Sequence, residues 1–216
     1  MKNYLFPLLL VIITSVFLNS CANNPPKANP DQTEIKSAIK VNPYPAGSYG
    51  HFKYDSYPDT TRTWKNTALL AKANPSMTKV HIDLSSQRGL LLVNDEVAID
   101  YRVSTGSSKH QTPTGDYKII EKLKEKRSNL HGKMLDASGE VVESDADIRR
   151  DTIPDGGSFI GASMPYWMRL TYAGIGMHQG KVNRRYASHG CIRTHYSAVP
   201  IIYSKTTIGT PVSITN

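Results

Sequence analysis

Short runs rich in Val, Ile and Leu recur from residue 78 to the C-terminus and alternate with turn residues. This pattern predicts strands at 79–84, 89–93, 97–104, 115–121, 166–172, 175–178 and 211–214, and a short helix at 196–204. Asn94-Asp95, between the second and third strands, is typical of a hairpin turn, so the first three strands form an antiparallel meander. We therefore predict a single mostly β domain with a short C-terminal helix over residues 77–216.

Residues 121–158 interrupt this pattern. They are polar and weakly periodic, and the part up to Asp155 holds nine of the 18 acidic residues. Two interpretations remain open. The segment is either a solvated loop or extra hairpin on the surface, or a cap over a substrate groove, because long insertions in compact domains are often functional.

The N-terminus has the layout of an export signal. A lysine precedes an apolar run over 4–18, which is shorter than the roughly 20 residues that a transmembrane helix needs. The next tetrad, Leu-Asn-Ser-Cys, resembles a bacterial lipobox, so we predict a lipoprotein signal peptide over 1–20 and lipid attachment at Cys21. An uncleaved transmembrane segment is the alternative. We expect an exported protein, lipid-anchored at the periplasmic face of a bacterial membrane, with the outer membrane favoured if the cell is Gram-negative.

Residues 21–76 are rich in Pro and Asn and show no sustained period. We predict a tether that gives the domain reach. Only 61–73, which ends ahead of Pro75, has the pattern of a short helix docked on the domain.

Composition and charge narrow the function classes. Hydrophobic residues make up 39% and charged residues 20% of the 216 residues, which excludes a polytopic membrane protein and a fully disordered chain. The net charge is +8, and no acidic residue follows Asp155. Nucleic-acid patches usually show aromatic residues interleaved with Lys and Arg, and an exported lipoprotein rarely meets DNA, so a carboxylate-bearing extracellular substrate is favoured over nucleic acid. The other explanation for this basic excess is that it serves solubility alone.

The densest group of reactive side chains lies between residues 178 and 193. His178-Gln179-Gly180 is followed by Ser188-His189-Gly190-Cys191-Ile192-Arg193, which brings two imidazoles, a thiol and a guanidinium within 16 residues. A thiol is nucleophilic as the thiolate, and a neighbouring imidazole with local positive charge lowers its pKa. Cys191 is therefore a candidate nucleophile.

Either His178 or His189 is a candidate base for Cys191. A strand ending at His178 and a loop returning through Gly190 would bring ring and sulfur together, whereas His189 is only two residues from the sulfur. No acidic residue lies nearby in sequence to orient the imidazole, which leaves a main-chain carbonyl for that role. Gly190 lets backbone N–H groups approach an oxyanion closely. These features indicate acyl transfer through a thioester.

Three alternatives assign the cysteines differently. Cys191 would complete a zinc site with the imidazoles of residues 178, 189 and 195, although the spacing matches none of the usual paired-ligand patterns. Cys191 would otherwise be a buried, inert thiol. A disulfide between Cys21 and Cys191 would require the signal peptide to remain uncut.

The histidine at 178 and the segment 188–193 resemble the signature of the bacterial L,D-transpeptidase catalytic domain. Three further motifs occur in the family's order: Thr112-Pro113-Thr114-Gly115, Gly176-Met177-His178 and Gly209-Thr210-Pro211-Val212. The resemblance covers residues 78–216 and implies a β-sandwich or cradle-like domain, often with a cap between the first motif and the histidine. Thr194-His195 departs from the family, in which an apolar residue is usual after the arginine.

The resemblance implies a role for each matching residue. Cys191 corresponds to the nucleophile and His178 to the general base, oriented by the Gln179 carbonyl. Supporting roles fall to the other motif residues, namely Gln179, Ser188, His189 and Gly190. Arg193 and Arg185 are candidates for binding a substrate carboxylate.

The implied chemistry is attack on the amide between the third residue of a peptidoglycan stem peptide, commonly diaminopimelate or Lys, and the terminal D-Ala. The acyl group then passes to an amine, giving 3-3 cross-links or wall-attached protein, or to water. No metal, cofactor or nucleic acid is implied. Two alternatives stay open: a hydrolase on the same scaffold, either an L,D-carboxypeptidase or an enzyme that releases wall-linked proteins, and a non-catalytic peptidoglycan-binding lipoprotein.

Overall fold

The computed structural model describes residues 41–54, 56–183 and 186–216. The predicted signal peptide over 1–20 and the lipid attachment at Cys21 lie outside these residues. The helices are α1 Tyr49–Tyr54, α2 Thr67–Lys72 and α3 Val199–Lys205. The strands are β1 Trp64–Lys65, β2 Thr78–Asp83, β3 Arg88–Val93, β4 Glu96–Ser104, β5 Gly115–Lys118, β6 Glu121–Leu123, β7 Arg127–Leu135, β8 Val141–Asp147, β9 Ser158–Ser163, β10 Trp167–Arg169, β11 Gly176–Gln179, β12 Ile192–Thr194 and β13 Pro211–Thr215. The predicted mostly β class is confirmed.

Ten strands form one curled main sheet. Nine of them follow the order β5-β13-β2-β3-β4-β12-β11-β10-β6, and β1 pairs with β4. The predicted meander corresponds to β2, β3 and β4, which are antiparallel neighbours. Asn94 and Asp95 have φ values of +48° and +67°, as a type I′ hairpin turn requires. The topology places β4, β12 and β11 side by side, and the candidate site lies at these strands.

The hydrophobic core lies against the main sheet. Ile99, Tyr101 and Val103 on β4 are fully buried, because they pack within this core. Ile202 from α3 and Leu70 from α2 join the same core. The predicted helix at 196–204 is therefore observed as α3. Within the described ranges, no helix has the length and apolarity needed to cross a membrane.

The described residues between 42 and 76 are folded, which differs from the predicted tether. α1, β1 and α2 lie here, and α2 falls within the predicted helix at 61–73. The segment docks onto a buried ion pair: Arg88 Nη1 donates to the Thr60 carbonyl at 2.8 Å, and the Tyr49 hydroxyl donates to Asp100 Oδ2 at 2.7 Å. Such polar docking leaves no hydrophobic period in the sequence, which is why composition suggested a tether.

Residues 121–158 contain strands rather than a solvated loop, and β7 and β8 pair as an extra hairpin. β6 pairs with β10 in the main sheet, whereas β7, β8 and β9 form a separate antiparallel sheet in the order β8-β7-β9. We call these three strands the outer sheet. Among their side chains only Met134 and Ala146 are buried, so the apolar alternation that predicts a strand is missing.

Candidate active site

Cys191 lies at the end of a tight loop that leads into β12. Ser188 anchors this loop: its N–H donates to the Thr105 carbonyl at 3.1 Å, and its carbonyl accepts from the Ser107 N–H at 2.9 Å. The Ser188 hydroxyl also donates to the Cys191 carbonyl at 2.5 Å. These bonds hold the cysteine backbone beside the end of β4.

Gly190 is required by the shape of the same loop. Its φ of +104° favours glycine, and a Cβ atom there would approach Ile175 Cδ1 to 2.7 Å. Its carbonyl accepts from Thr112 Oγ1 at 2.7 Å, and its N–H donates to Ser188 Oγ at 3.1 Å. The Gly190 amide is therefore already engaged, and the residue contributes backbone conformation rather than a free donor for an oxyanion.

His178, on β11, is held by the main chain of the next residue. Its Nδ1 lies 2.7 Å from the Gln179 carbonyl oxygen. Because a carbonyl only accepts hydrogen bonds, Nδ1 carries the proton of the neutral ring and Nε2 is the basic nitrogen. Burial lowers the pKa of His178 to about 4, although the Gln179 hydrogen bond acts in the opposite direction. The ring is therefore neutral at pH 7 and able to accept a proton.

The Cys191 thiol is also neutral at rest. Burial raises its pKa, and this outweighs the lowering by the Gly176 backbone and by the charges of Arg193 and Arg169. The thiol donates to the Gly174 carbonyl, with Sγ 3.5 Å from the oxygen. Local positive charge in the sequence had suggested a lowered pKa. The structure gives the opposite direction, because removing a thiolate from water costs more than the nearby guanidinium groups return.

Cys191 and His178 line one cavity of about 260 Å³. One side belongs to the main sheet and its loops. The other side belongs to the outer sheet and its flanking residues, which contribute Ser128, Leu130, His131, Arg149, Ala162 and Met164. Residues of the outer sheet thus line the same cavity as the thiol and the imidazole.

His189 connects the cysteine loop to the outer sheet. Its ring stacks on that of His131 from β7, with centroids 4.1 Å apart and an interplanar angle of 10°. The centroid of the His110 ring lies 4.9 Å from the centroid of the His189 ring. Burial lowers the pKa of both His189 and His131, which keeps the stacked rings uncharged at neutral pH.

Arg193 is at the junction of the site's strands. On β12 it pairs with His178 of β11 on one side and with Ser104 of β4 on the other. Its half-buried side chain lines the same cavity as Cys191. Arg185, the other predicted carboxylate-binding residue, lies outside the described residues.

Two supporting residues were missed as candidates. Thr112 accepts from the Gly106 N–H at 2.9 Å while it donates to Gly190, so it buttresses the cysteine loop. The Thr-Pro-Thr-Gly motif was the available signal for it. Trp167, 1% exposed, has its ring centroid 6.1 Å from that of His178 and donates to Glu121 at 2.7 Å. A single tryptophan gives no sequence signal, because this contact depends on the pairing of β10 with β11.

The predicted zinc alternative is not assembled. Among the described residues, no three His, Cys, Asp or Glu side chains are arranged to hold a metal ion. His195 does not line the cavity of Cys191 and His178. Its Nδ1 instead contacts Ser197 Oγ at 2.8 Å.

Solved structures of similar fold are L,D-transpeptidases. One from Mycobacterium smegmatis has 17% identity and a TM-score of 0.50, with 65% of this chain and 59% of that chain covered. L,D-transpeptidase 1 of Mycobacterium tuberculosis has 21% identity and a TM-score of 0.47, with 64% and 62% covered. An Enterococcus faecium L,D-transpeptidase has 22% identity and a TM-score of 0.45, with 65% and 50% covered. The chain thus spans less than two thirds of the length of these proteins.

Sequence comparison agrees with the fold. No curated protein sequence matches the chain. The profile of the YkuD family, the L,D-transpeptidase catalytic domain, matches residues 77–214. This match covers more than half of the chain and confirms the resemblance carried by the four sequence motifs. The chain therefore belongs to the L,D-transpeptidase catalytic domain family.

Proposed function

We propose that the protein is a cysteine-dependent L,D-transpeptidase that acts on peptidoglycan stem peptides. One observation carries the proposal: the Cys191 thiol shares a cavity with a neutral His178 whose Nδ1–H is bonded to the Gln179 carbonyl. Such a pair has the arrangement that nucleophilic catalysis requires, in which a third group orients the base. Family membership supports the substrate class.

The first half-reaction acylates the cysteine. His178 Nε2 takes the proton from Cys191 Sγ as the sulfur attacks the carbonyl carbon of the third stem residue. The C–N bond to D-Ala then breaks, and the proton on Nε2 passes to the departing amine. Because thiol and imidazole are both neutral at rest, the base has to act during the attack rather than before it.

The second half-reaction returns the enzyme to its starting state. An acceptor amine attacks the thioester carbonyl and gives up its proton to His178. The C–S bond breaks, and the sulfur regains a proton from the imidazole. The new amide is a 3-3 cross-link or a protein attached to the wall. The outer sheet over the cavity favours amine over water by restricting solvent access to the thioester.

The other predicted residues support this chemistry through their positions. Ser188 and Gly190 hold the cysteine loop, and His189 ties that loop to the outer sheet. The guanidinium of Arg193 borders the cavity and binds a substrate carboxylate. No step requires a metal or cofactor.

Turnover of defined peptides tests the proposal. The purified protein is expected to release D-Ala from a stem tetrapeptide and, when a second stem peptide supplies the amine, to form a cross-linked product seen by chromatography with mass spectrometry. A tripeptide without the terminal D-Ala is the control and should give no product. Tripeptide as the sole product would assign an L,D-carboxypeptidase instead. No D-Ala release by the folded protein would favour the wall-binding alternative.

We also propose that Cys21 carries a lipid that anchors the exported protein at the periplasmic face of a bacterial membrane. The apolar run over 4–18 and the Leu-Asn-Ser-Cys tetrad support this assignment. In cells fed an alkyne-tagged fatty acid, the protein is expected to take up the tag and its Cys21→Ala variant is not. A tag retained by the variant would contradict the lipid site.

A further inference from the structure

Two further cavities continue the Cys191 cavity along the outer sheet. The first, of about 390 Å³, shares four lining residues with the Cys191 cavity, among them His189 and Arg193. The second, of about 570 Å³, shares Arg127 and Ser163 with the first. The shared residues place the three cavities next to one another, and we call them together the groove.

The groove beyond Cys191 is cationic. The linings of its two further cavities hold five basic side chains and two carboxylates, namely Lys124, Lys126, Arg127, Lys133 and Arg193 against Glu125 and Asp145. Within the described part of the chain, none of the five cations forms an ion pair. Arg127 donates at 3.0 Å to the Gly161 carbonyl, a neutral acceptor that leaves its charge uncompensated.

The other arginines of the same region are compensated. Arg149 lies 2.6 Å from Asp147, and Arg150 lies 2.7 Å from Asp151. Asp147 and Asp151 thus pair with these arginines near the end of β8, whereas none of the five groove cations has an ion-pair partner among the described residues. Unpaired positive charge in a groove that leads to a reactive thiol favours an anionic ligand.

We propose that this groove binds the free carboxylates of a stem peptide beside the bond that Cys191 attacks. The inference rests on the proposed function and adds to it the outer-sheet residues that read the substrate. Lys133, exposed on β7, lines the cavity of about 390 Å³ together with Arg193. The donor and the acceptor stem peptide carry the same carboxylates, so either one could supply the group that the groove binds. Kinetics of the two half-reactions distinguish them.

Charge reversal at Lys133 tests the groove. Lys133→Glu is expected to raise KM about 5- to 30-fold for a stem peptide with free carboxylates, with kcat nearly unchanged, because it replaces a charged contact with repulsion in a partly solvated site. For the same peptide with amidated carboxylates, KM should change less than about twofold, since no charge remains to be read. Raising the salt concentration should shrink the difference between the two peptides.

Lys72→Glu is the matched control. Lys72 is exposed on α2, outside the groove, and its reversal makes the same change in net charge. Lys133→Gln removes the charge without adding repulsion and should give a smaller shift in the same direction. If Lys133→Glu raises the KM for the donor peptide in D-Ala release without acceptor, the groove binds the donor stem. If it raises only the KM for the acceptor peptide, the groove binds the acceptor stem.

The outcomes separate this inference from the proposed function. If the wild type releases D-Ala from the free and amidated peptides, and Lys133→Glu shifts KM equally for both or no more than Lys72→Glu does, the carboxylate groove is wrong while the transpeptidase stands. If the wild type releases no D-Ala from either peptide, the proposed function itself fails.

Discussion

Replacing His178 with alanine is expected to lower kcat for D-Ala release by about 10²- to 10⁴-fold, the usual contribution of a positioned general base. The thiol of Cys191 is neutral at rest, because burial raises its pKa. Without the His178 imidazole, the sulfur proton loses the base that the Gln179 carbonyl orients for the attack. Steady-state kinetics with a stem tetrapeptide measure the loss.

His195→Ala is the matched control for this prediction. His195 follows the cysteine motif, but its Nδ1 contacts Ser197 and it does not line the cavity. Its replacement should leave kcat within about twofold, since it removes no group that touches substrate. Equal losses in the two variants, with both folded, would remove His178 from the chemistry.

The wild-type pH profile provides a second readout of His178. Its pKa is lowered to about 4, from the 6.5 of an ordinary imidazole. The basic form therefore persists as pH falls below 6.5, and kcat/KM should stay level until the pH nears 4 to 5 and then decline. An acid limb centred near 6.5 would show that the ring is solvated rather than buried.

Replacing Asp100 with alanine is expected to lower the free energy of unfolding by about 3–5 kcal/mol, the usual cost of leaving a buried charge without its partner. Asp100 is fully buried and accepts from Arg88 Nε at 2.8 Å and from the Tyr49 hydroxyl at 2.7 Å. Its loss strands the Arg88 guanidinium, which is 1% exposed. Urea denaturation followed by circular dichroism measures the change.

Asp95→Asn is the control that separates burial from ion pairing, because it removes the charge and keeps a residue that tolerates the positive φ of this turn. Asp95 pairs with Lys79 at 2.6 Å, but their side chains are 72% and 51% exposed. A solvated pair of this kind contributes about 0–1 kcal/mol, so the variant should unfold almost as the wild type does. Similar losses for Asp95→Asn and Asp100→Ala would contradict the account of how residues 42–60 dock.

The sequence predicted the centre of the main sheet well. β2, β3 and β4 appear as short apolar runs because their side chains face a core, and Asn94-Asp95 marks the turn by its tolerance of positive φ. β12 was not predicted, since three residues that follow a catalytic-type motif are too few to show a period. For the outer sheet the sequence predicted no more than a solvated loop, an extra hairpin or a cap, because strands with few buried side chains lack apolar alternation.

The candidate site was predictable as a set of residues but not as an electrostatic environment. The spacing of His178 and Cys191 in the sequence was enough to name both side chains as candidate catalytic groups. The direction of the Cys191 pKa shift could not be predicted, because it depends on burial created by the outer sheet and by strand pairing. The contacts of Trp167 with His178 and of Thr112 with Gly190 also require the fold.

The central claim is that Cys191 becomes acylated, and intact-mass spectrometry tests it most directly. The purified protein is mixed with a stem tetrapeptide, quenched in acid, and compared with the Cys191→Ala variant treated in the same way. We expect a transient gain equal to the tetrapeptide mass less D-Ala, mapped by digestion to Cys191 and absent from the variant. D-Ala release by the Cys191→Ala variant, or an adduct that persists in it, would contradict the account.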